Sequence, residues 1–456
     1  MGSFIILDLI LLALCTWAAF YFARKHKKNM HKEGWMYLYK TSFGIKVIDQ
    51  IAKKYRSFLL PLQYVIITSG YFLMISMFSL LIKTLLIYIT QSSDAPLAKV
   101  PAVFPLIPYF PQLFNLDSMF PPFYFFYFIV AIAIVAIAHE AAHGIIARLN
   151  NVRIKTTGIA FLGPFLGAFV EQDDKQMNKA PVKAQLAILA AGTFANVVMS
   201  VLFGIILIVF FALAFQSSGF IFDQYAFSVI NTSDITGVAN ASIPGYLALT
   251  LGNTTKFVNA SGSAYLEQGA LVYAYDDAPA FRAQLARTII AIDNQPMTSY
   301  QALSTALTNA QPDETSTVTT LTTEGIEETK TVTFQERNGK AYLGIVSVPY
   351  QSKGLIGRWY NFITLVKNPS IYYTSSLPGA QFIYDLLWWI VIINMLVALF
   401  NMFPAGMLDG GRFLYLTVLG LTNSKKLAHA SFALCTYILY GVVIVMMLKW
   451  VWVIIS

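Results

Sequence analysis

Charged residues are scarce in this chain of 456 residues, in which Asp, Glu, Lys and Arg make up only 12%. Soluble domains carry roughly twice that fraction, and 57% of the residues here belong to the hydrophobic class AVILMFWYC. These figures exclude an intrinsically disordered chain and an ordinary soluble enzyme. The composition therefore predicts a polytopic α-helical membrane protein. We expect the lipid bilayer to be one of its partners.

Cysteine and histidine are also rare, with two cysteines and five histidines in the whole chain. Cys15 and Cys435 each lie within an apolar run, which excludes a disulfide framework and a cysteine-based zinc site. The net charge of +8 does not indicate nucleic acid, because in a membrane protein the positions of the basic residues matter more than their sum. We expect no nucleic-acid partner.

Six apolar segments are long enough to cross the hydrocarbon core, which takes about 20 helical residues. They are 3–23, 58–90, 121–147, 184–215, 380–403 and 429–453. Lys and Arg cluster between them, with ten in 24–57 and six in 148–183, whereas 91–120 has one. Cytoplasmic loops carry this excess of positive residues, so we expect both basic segments inside and the segment 216–379 outside.

The third predicted span contains the motif HExxH, formed by His139, Glu140 and His143. Positions i and i+4 share one face of a helix, so both imidazoles can bind one zinc ion while the glutamate lies beside the attacking water. This pattern is typical of metal-assisted hydrolysis. The alternative is a buried His–Glu group that serves helix packing or proton conduction, although three ionisable groups in five residues are costly in hydrocarbon without a metal or water.

A catalytic zinc ion takes three protein ligands and one water, so a third ligand is needed. The other histidines lie beside the spans, which leaves a carboxylate. Asp385 lies near the outer end of the fifth span, whereas Asp409 follows that span at the predicted depth of HExxH. Pro404 and the neighbouring glycines of NMFPAGMLDGGR predict an irregular backbone around Asp409. We therefore expect His139, His143 and Asp409 to bind one Zn²⁺ per chain.

HExxH in one membrane helix with NxxPxxxxDGG far downstream resembles the site-2 protease family of intramembrane zinc metalloproteases. The resemblance implies that Glu140 is the general base and that Asn401 stabilises the oxyanion or positions the substrate. Gly192 and Asn196 in AGTFANV are similar to the Gly-x-x-x-Asn pattern of the family, although a threonine replaces the usual proline. Asn196 is then a substrate-binding residue, or else a helix-packing amide.

The Gly-rich segment GIAFLGPFLGAFVEQDD, residues 158–174, resembles the membrane-associated β-hairpin of the same family. Its free edge would pair with an unwound substrate segment, with Gly163, Pro164 and Gly167 among the substrate-binding residues. An interfacial loop with incidental glycines is the alternative.

The outer segment differs in character, because Thr-rich alternation in 315–334 predicts a strand, a turn and a strand. Residues 278–307 resemble part of a PDZ domain, which predicts an extracytoplasmic α+β PDZ-like insertion. The predicted organisation has four parts. Residues 1–120 contain the N-terminal helices and a basic loop, and 121–215 form the first part of the catalytic core. Residues 216–354 form the insertion, and 355–456 form the second part of the catalytic core.

The resemblance implies regulated intramembrane proteolysis, in which a zinc-dependent endopeptidase cleaves the transmembrane segment of a single-span membrane protein. The alternative from another class is a non-proteolytic metal-binding scaffold or transporter. We expect a multi-pass protein in the plasma membrane of a prokaryote, with the PDZ-like domain outside and the active site near the cytoplasmic side. The sequence leaves the oligomeric state open.

Overall fold

A computed structural model describes residues 2–27, 30–33, 36–90, 101, 106–114, 120–162, 165–261, 269–347, 366–406 and 408–455. The chain divides into two compact units. The first unit is Met1–Leu207 with Gln381–Ser456, and the second is Ile208–Ala380. The predicted boundary at residue 354 lies outside the described residues, and the second unit extends past it.

The described residues form twelve α-helices, which are named here in chain order. They are α1 (Gly2–Lys25), α2 (Ile45–Lys54), α3 (Arg56–Thr90), α4 (Phe110–Leu113), α5 (Phe125–Leu149), α6 (Asp174–Lys179), α7 (Val182–Ala214), α8 (Pro279–Arg282), α9 (Tyr300–Asn309), α10 (Ala380–Asn401), α11 (Asp409–Thr422) and α12 (Lys425–Ile455).

Six of these helices, α1, α3, α5, α7, α10 and α12, are long and apolar enough to cross a membrane. Each of the six predicted spans coincides with one of these helices, and most of the bounds agree within a few residues. Helix α5 begins at Phe125 rather than at 121, with Tyr124 as an extended N-cap residue.

The nineteen described strands are short, and fifteen of them lie in the second unit. They are β1 (Met30–Glu33), β2 (Met36–Thr41), β3 (Ile154–Leu162), β4 (Phe165–Gln172), β5 (Gln216–Ile221), β6 (Gln224–Tyr225), β7 (Phe227–Asn231), β8 (Gly237–Asn240), β9 (Tyr246–Leu251), β10 (Thr254–Asn259), β11 (Leu271–Asp276), β12 (Thr288–Ile292), β13 (Gln295–Pro296), β14 (Thr315–Leu321), β15 (Glu327–Thr333), β16 (Gln335–Arg337), β17 (Lys340–Tyr342), β18 (Ile345–Val346) and β19 (Ile371–Thr374).

The first unit contains one antiparallel sheet of four strands in the order β1-β2-β3-β4. Strands β3 and β4 form the hairpin predicted at 158–174, with Ala160 paired to Gly167. Strand β2 covers the other edge of β3, pairing Tyr39 with Ile159. Strand β4 therefore ends the sheet among the described strands and leaves an edge open.

The second unit contains two larger sheets. One has five strands in the order β7-β11-β10-β9-β8. The other has six, of which five follow the order β15-β14-β12-β5-β19 and the sixth, β13, pairs with β12. The prediction of a strand, a turn and a strand in 315–334 is confirmed, because β14 and β15 pair antiparallel over their full lengths. Strand β19 pairs with β5, which places residues after 354 in this unit.

The main core of the first unit packs the middle of α3 and the end of α5 against α7, α10 and α11. Its fully buried members include Ile66, Ala190, Met402 and Phe413. Gly70 of α3 permits this packing, because a Cβ there would lie 3.0 Å from Ala190. Helices from separate parts of the chain thus pack against the end of the helix that carries HExxH.

Candidate metal centre

Helix α5 carries His139 and His143 one turn apart, and both side chains are buried. Their Nε2 atoms lie 3.0 Å apart. This proximity follows from the i, i+4 spacing, which places both side chains on one face of the helix.

Asp409 is the first residue of α11, and it completes the cluster. Its Oδ2 atom lies 3.4 Å from Nε2 of His139 and 3.4 Å from Nε2 of His143. Tetrahedral zinc with bonds of about 2.0–2.1 Å requires ligand atoms about 3.3 Å apart. The three atoms therefore form one face of a suitable tetrahedron, and the group can hold a metal ion.

The hydrogen-bond partners of the two Nδ1 atoms determine whether each histidine has the tautomer that a metal needs. Nδ1 of His143 lies 2.7 Å from the carbonyl oxygen of Ile188, an acceptor that requires the proton on Nδ1 and leaves Nε2 free. A partner of this kind orients nearly every metal-binding histidine.

His139 has Asn196 of α7 as the partner of its Nδ1, at 3.0 Å from the amide nitrogen Nδ2. Asn196 is fully buried, and its Oδ1 has no hydrogen-bond partner among the described residues. Turning the amide by 180° lets Oδ1 accept from Nδ1–H, which is the tautomer with Nε2 free for a metal. The unpaired oxygen thus fits a metal-bound His139.

Helix α7 passes unusually close to both imidazoles at Gly192. A Cβ atom at this position would lie 2.4 Å from Nε2 of His143 and 2.6 Å from Nε2 of His139. Only glycine allows this approach, so the Gly192–Asn196 pattern has a physical reason in the ligand geometry.

The glycines after Asp409 serve close packing. The prediction of an irregular backbone there was wrong for Gly410 and Gly411, because both lie within α11. A Cβ at Gly410 would lie 2.3 Å from the carbonyl group of Met402, and one at Gly411 would lie 2.3 Å from the oxygen of Ala405. The glycines therefore let the start of α11 approach the segment that follows α10, which brings Asp409 to the histidines.

Glu140 points toward β4 from the residue next to His139. Its Oε2 accepts a hydrogen bond of 2.9 Å from the backbone N–H of Val170. The two histidines, Asp409 and both of these residues line one open cavity of about 590 Å³. The three side chains of the cluster and Glu140 therefore face a common open cavity.

The remaining predicted site residues have different placements. Asn401 ends α10 and lines the same cavity. Gly167 lies within β4, whereas Gly163 and Pro164 lie outside the described residues. Asn196 contacts Nδ1 of His139, and its role in substrate binding stays a prediction. Sequence reasoning missed the Val170 N–H and the Ile188 carbonyl. These are backbone groups, and the residue type at a position gives no indication of their role.

Both ends of α5 are fixed by side chains from the N-terminal helices. The buried Asp8 carboxylate of α1 accepts from the amides of Phe125 and Phe126, at 2.7 and 2.9 Å. At the other end, Arg56 donates to the carbonyl oxygen of Leu149 at 3.0 Å. A carboxylate at the N-terminus and a guanidinium at the C-terminus both complement the helix dipole.

Comparisons with known proteins agree with this geometry. A model of peptidase family M50 matches residues 127–448, which is more than two thirds of the chain. An uncharacterized protein of Methanocaldococcus jannaschii is 27% identical over 202 residues, which are 42% of this chain and 48% of that protein. The chain thus spans about half the length of the curated relative that it matches.

Proposed function

Because this chain belongs to peptidase family M50, a family of membrane metalloproteases, we propose that it is a zinc-dependent intramembrane endopeptidase. Its substrates in this proposal are single-span membrane proteins, which it cleaves within the transmembrane segment. The observation that carries the proposal is the triangle of two imidazole nitrogens and one carboxylate oxygen, with sides of 3.0, 3.4 and 3.4 Å, beside a glutamate.

His139, His143 and Asp409 would hold the zinc ion. When bound, zinc lowers the pKa of a coordinated water toward neutrality and polarises a carbonyl oxygen. The Glu140 carboxylate then accepts the proton of the attacking water and later gives it to the leaving amine. Asn401 lines the same cavity, and we assign it to the developing oxyanion or to the substrate backbone.

A transmembrane segment must leave its helical conformation before a protease can reach its peptide bonds. The edge of β4 offers a template for an extended segment, because strand addition satisfies the freed backbone groups. With β2 on the other side of the hairpin, we propose that substrate pairs with β4, in which Gly167 lies. Gly163 and Pro164, which lie outside the described residues, stay predicted substrate contacts.

Orientation and location are further parts of the proposal. His139 follows Phe125 by 14 residues, which is about 21 Å along a helix, so it lies toward the end of α5 that leads to the basic segment 148–183. That end is cytoplasmic under the positive-inside rule. We propose that the second unit contains the PDZ-like domain, that it lies outside, and that the membrane is the plasma membrane of a prokaryote.

The test is Glu140→Gln in the purified full-length protein, with a model single-span substrate in detergent and zinc measured in parallel. We expect zinc to be retained and cleavage to fall by at least about 100-fold, because proton transfer by a positioned base contributes about that much. Glu336→Gln on the exposed strand β16 is the control and should cleave normally. A wild-type protein that binds zinc without cleaving any such substrate would favour the scaffold or transporter.

A further inference from the structure

The free edge of β4 and the catalytic glutamate meet at one backbone group, the N–H of Val170. In the ladder with β3, Val170 lies opposite Thr157. Its N–H nevertheless points away from β3, since it donates to Oε2 of Glu140 at 2.9 Å. Because the direction of backbone groups alternates along a strand, the N–H of Ala168 points to the same open edge.

Strand β4 is held firmly against the helix that carries Glu140. Gly144 lies one turn after Glu140, and a Cβ there would be 3.3 Å from Cγ1 of Val170, so this glycine admits the Val170 side chain. The next residue, Glu171, accepts from Lys40 at 2.8 Å and from Thr156 at 2.7 Å. The Val170 N–H is therefore a fixed donor, as required of a group that orients another.

We propose that Val170, through its backbone N–H, is a positioning residue for the general base, and that substrate pairing on β4 ends at Ala168. The N–H of Val170 binds one oxygen of Glu140 and leaves the other to face the attacking water. Among the described strands β4 pairs only with β3, so the N–H of Ala168, two residues before Val170, is the group we assign to a carbonyl of the substrate. The inference rests on the proposed function.

The end of substrate pairing at Ala168 would determine where the substrate is cleaved. A substrate strand is paired as far as Ala168, and the residues beyond that point lie beside Glu140 without a β4 partner. The scissile bond would then be just past the residue paired with Ala168. Its carbonyl would be free to turn toward His139, His143 and Asp409.

The test replaces each N–H separately by a backbone ester, through the α-hydroxy-acid analogue of valine at Val170 or of alanine at Ala168. Neither N–H belongs to the ladder with β3, so proline variants, Val170→Pro and Ala168→Pro, supply a second pair if an ester protein does not fold. For each full-length protein, zinc content, thermal unfolding, kcat and KM are measured on a single-span substrate in detergent.

We expect the ester at Val170 to lower kcat by about tenfold or more with little change in KM, since losing an outer partner of a metal site typically costs about that much in activity. The ester at Ala168 should raise KM about threefold to tenfold and leave kcat unchanged, which corresponds to one lost hydrogen bond. A rise in KM without a fall in kcat at Val170 would overturn the inference, as would equal effects at both positions. Failure of the wild-type protein to cleave would instead contradict the proposed function.

Discussion

Gly192 is the position at which the geometry makes its strongest mutational prediction. Helix α7 lies so close to the two ligand imidazoles that a Cβ on residue 192 would be 2.4 Å from Nε2 of His143 and 2.6 Å from Nε2 of His139. These are the atoms that would bind the metal. Gly192→Ala should therefore act on the metal centre itself, although residue 192 is not a ligand.

The magnitude follows from the distances. An ordinary contact of a Cβ begins at 3.4 Å, so the rings must move by about 1 Å or the helices must separate by as much. A zinc site tolerates about 0.2 Å in its ligand distances, and a 1 Å misplacement at a catalytic site costs about 100-fold in rate. Overpacking adds about 1–3 kcal/mol of destabilisation.

We expect Gly192→Ala to weaken zinc binding by at least about tenfold, as lost ligand orientation does, and to lower kcat/KM by about 100-fold. Zinc affinity is measured by competition with a chelator and cleavage with a single-span substrate. Gly204→Ala in the same helix is the matched control, because a Cβ there meets nothing within 4 Å. If both variants bind zinc and cleave alike, the close approach of α7 to the histidines is incorrect.

Three further predictions concern the supports of the site and the second unit. Gly411→Ala should displace Asp409 and weaken zinc binding, because its Cβ would lie 2.3 Å from a carbonyl oxygen of the preceding loop. Gly420→Ala in the same helix is the control and should retain zinc, because the nearest atom to its Cβ is 3.3 Å away. Equal zinc affinities of the two variants would refute this reasoning. Asp8→Ala leaves two amides of α5 without their acceptor and should destabilise the protein by about 2–4 kcal/mol, seen as a lower Tm in detergent; an unchanged Tm would contradict the capping role. In the second unit, burial acts to raise the pKa of Asp276, but hydrogen bonds from Lys256 and a serine outweigh it and hold the pKa below its ordinary value. The charged form therefore stabilises the fold above pH of about 4, and this contribution is lost as the pH falls through the lowered pKa. Hydrogen exchange of β10 and β11 should be faster in Asp276→Asn at pH 7, and the difference from wild type should vanish in strong acid; a difference independent of pH would count against it.

The sequence was sufficient to identify the three residues of the His139, His143 and Asp409 cluster and the apolar helices beside it. The i, i+4 spacing in α5 depends only on helix geometry, and the depth argument correctly separated Asp409 from Asp385, since Asp409 is the carboxylate that meets the histidines. The six apolar runs were equally clear, because crossing hydrocarbon requires a long uninterrupted segment.

The supports of the site were not predictable in the same way. The Val170 amide and the Ile188 carbonyl are backbone groups, whose positions depend on long-range packing and not on residue type. The addition of β1 and β2 to the hairpin was not predictable either, because the many basic residues of segment 24–57 indicate its side of the membrane and not its strand pairing. Gly410 and Gly411 serve close contacts within a regular helix, and residue type alone does not distinguish this role from an unusual backbone conformation.

Zinc K-edge X-ray absorption on the purified protein tests the central claim most directly. The account predicts one zinc ion per chain, with two imidazole nitrogens at about 2.0–2.1 Å and the rest oxygen, and a loss of bound zinc in Asp409→Ala but not in Asp385→Ala. Zinc that stays with unchanged ligands in Asp409→Ala would contradict it.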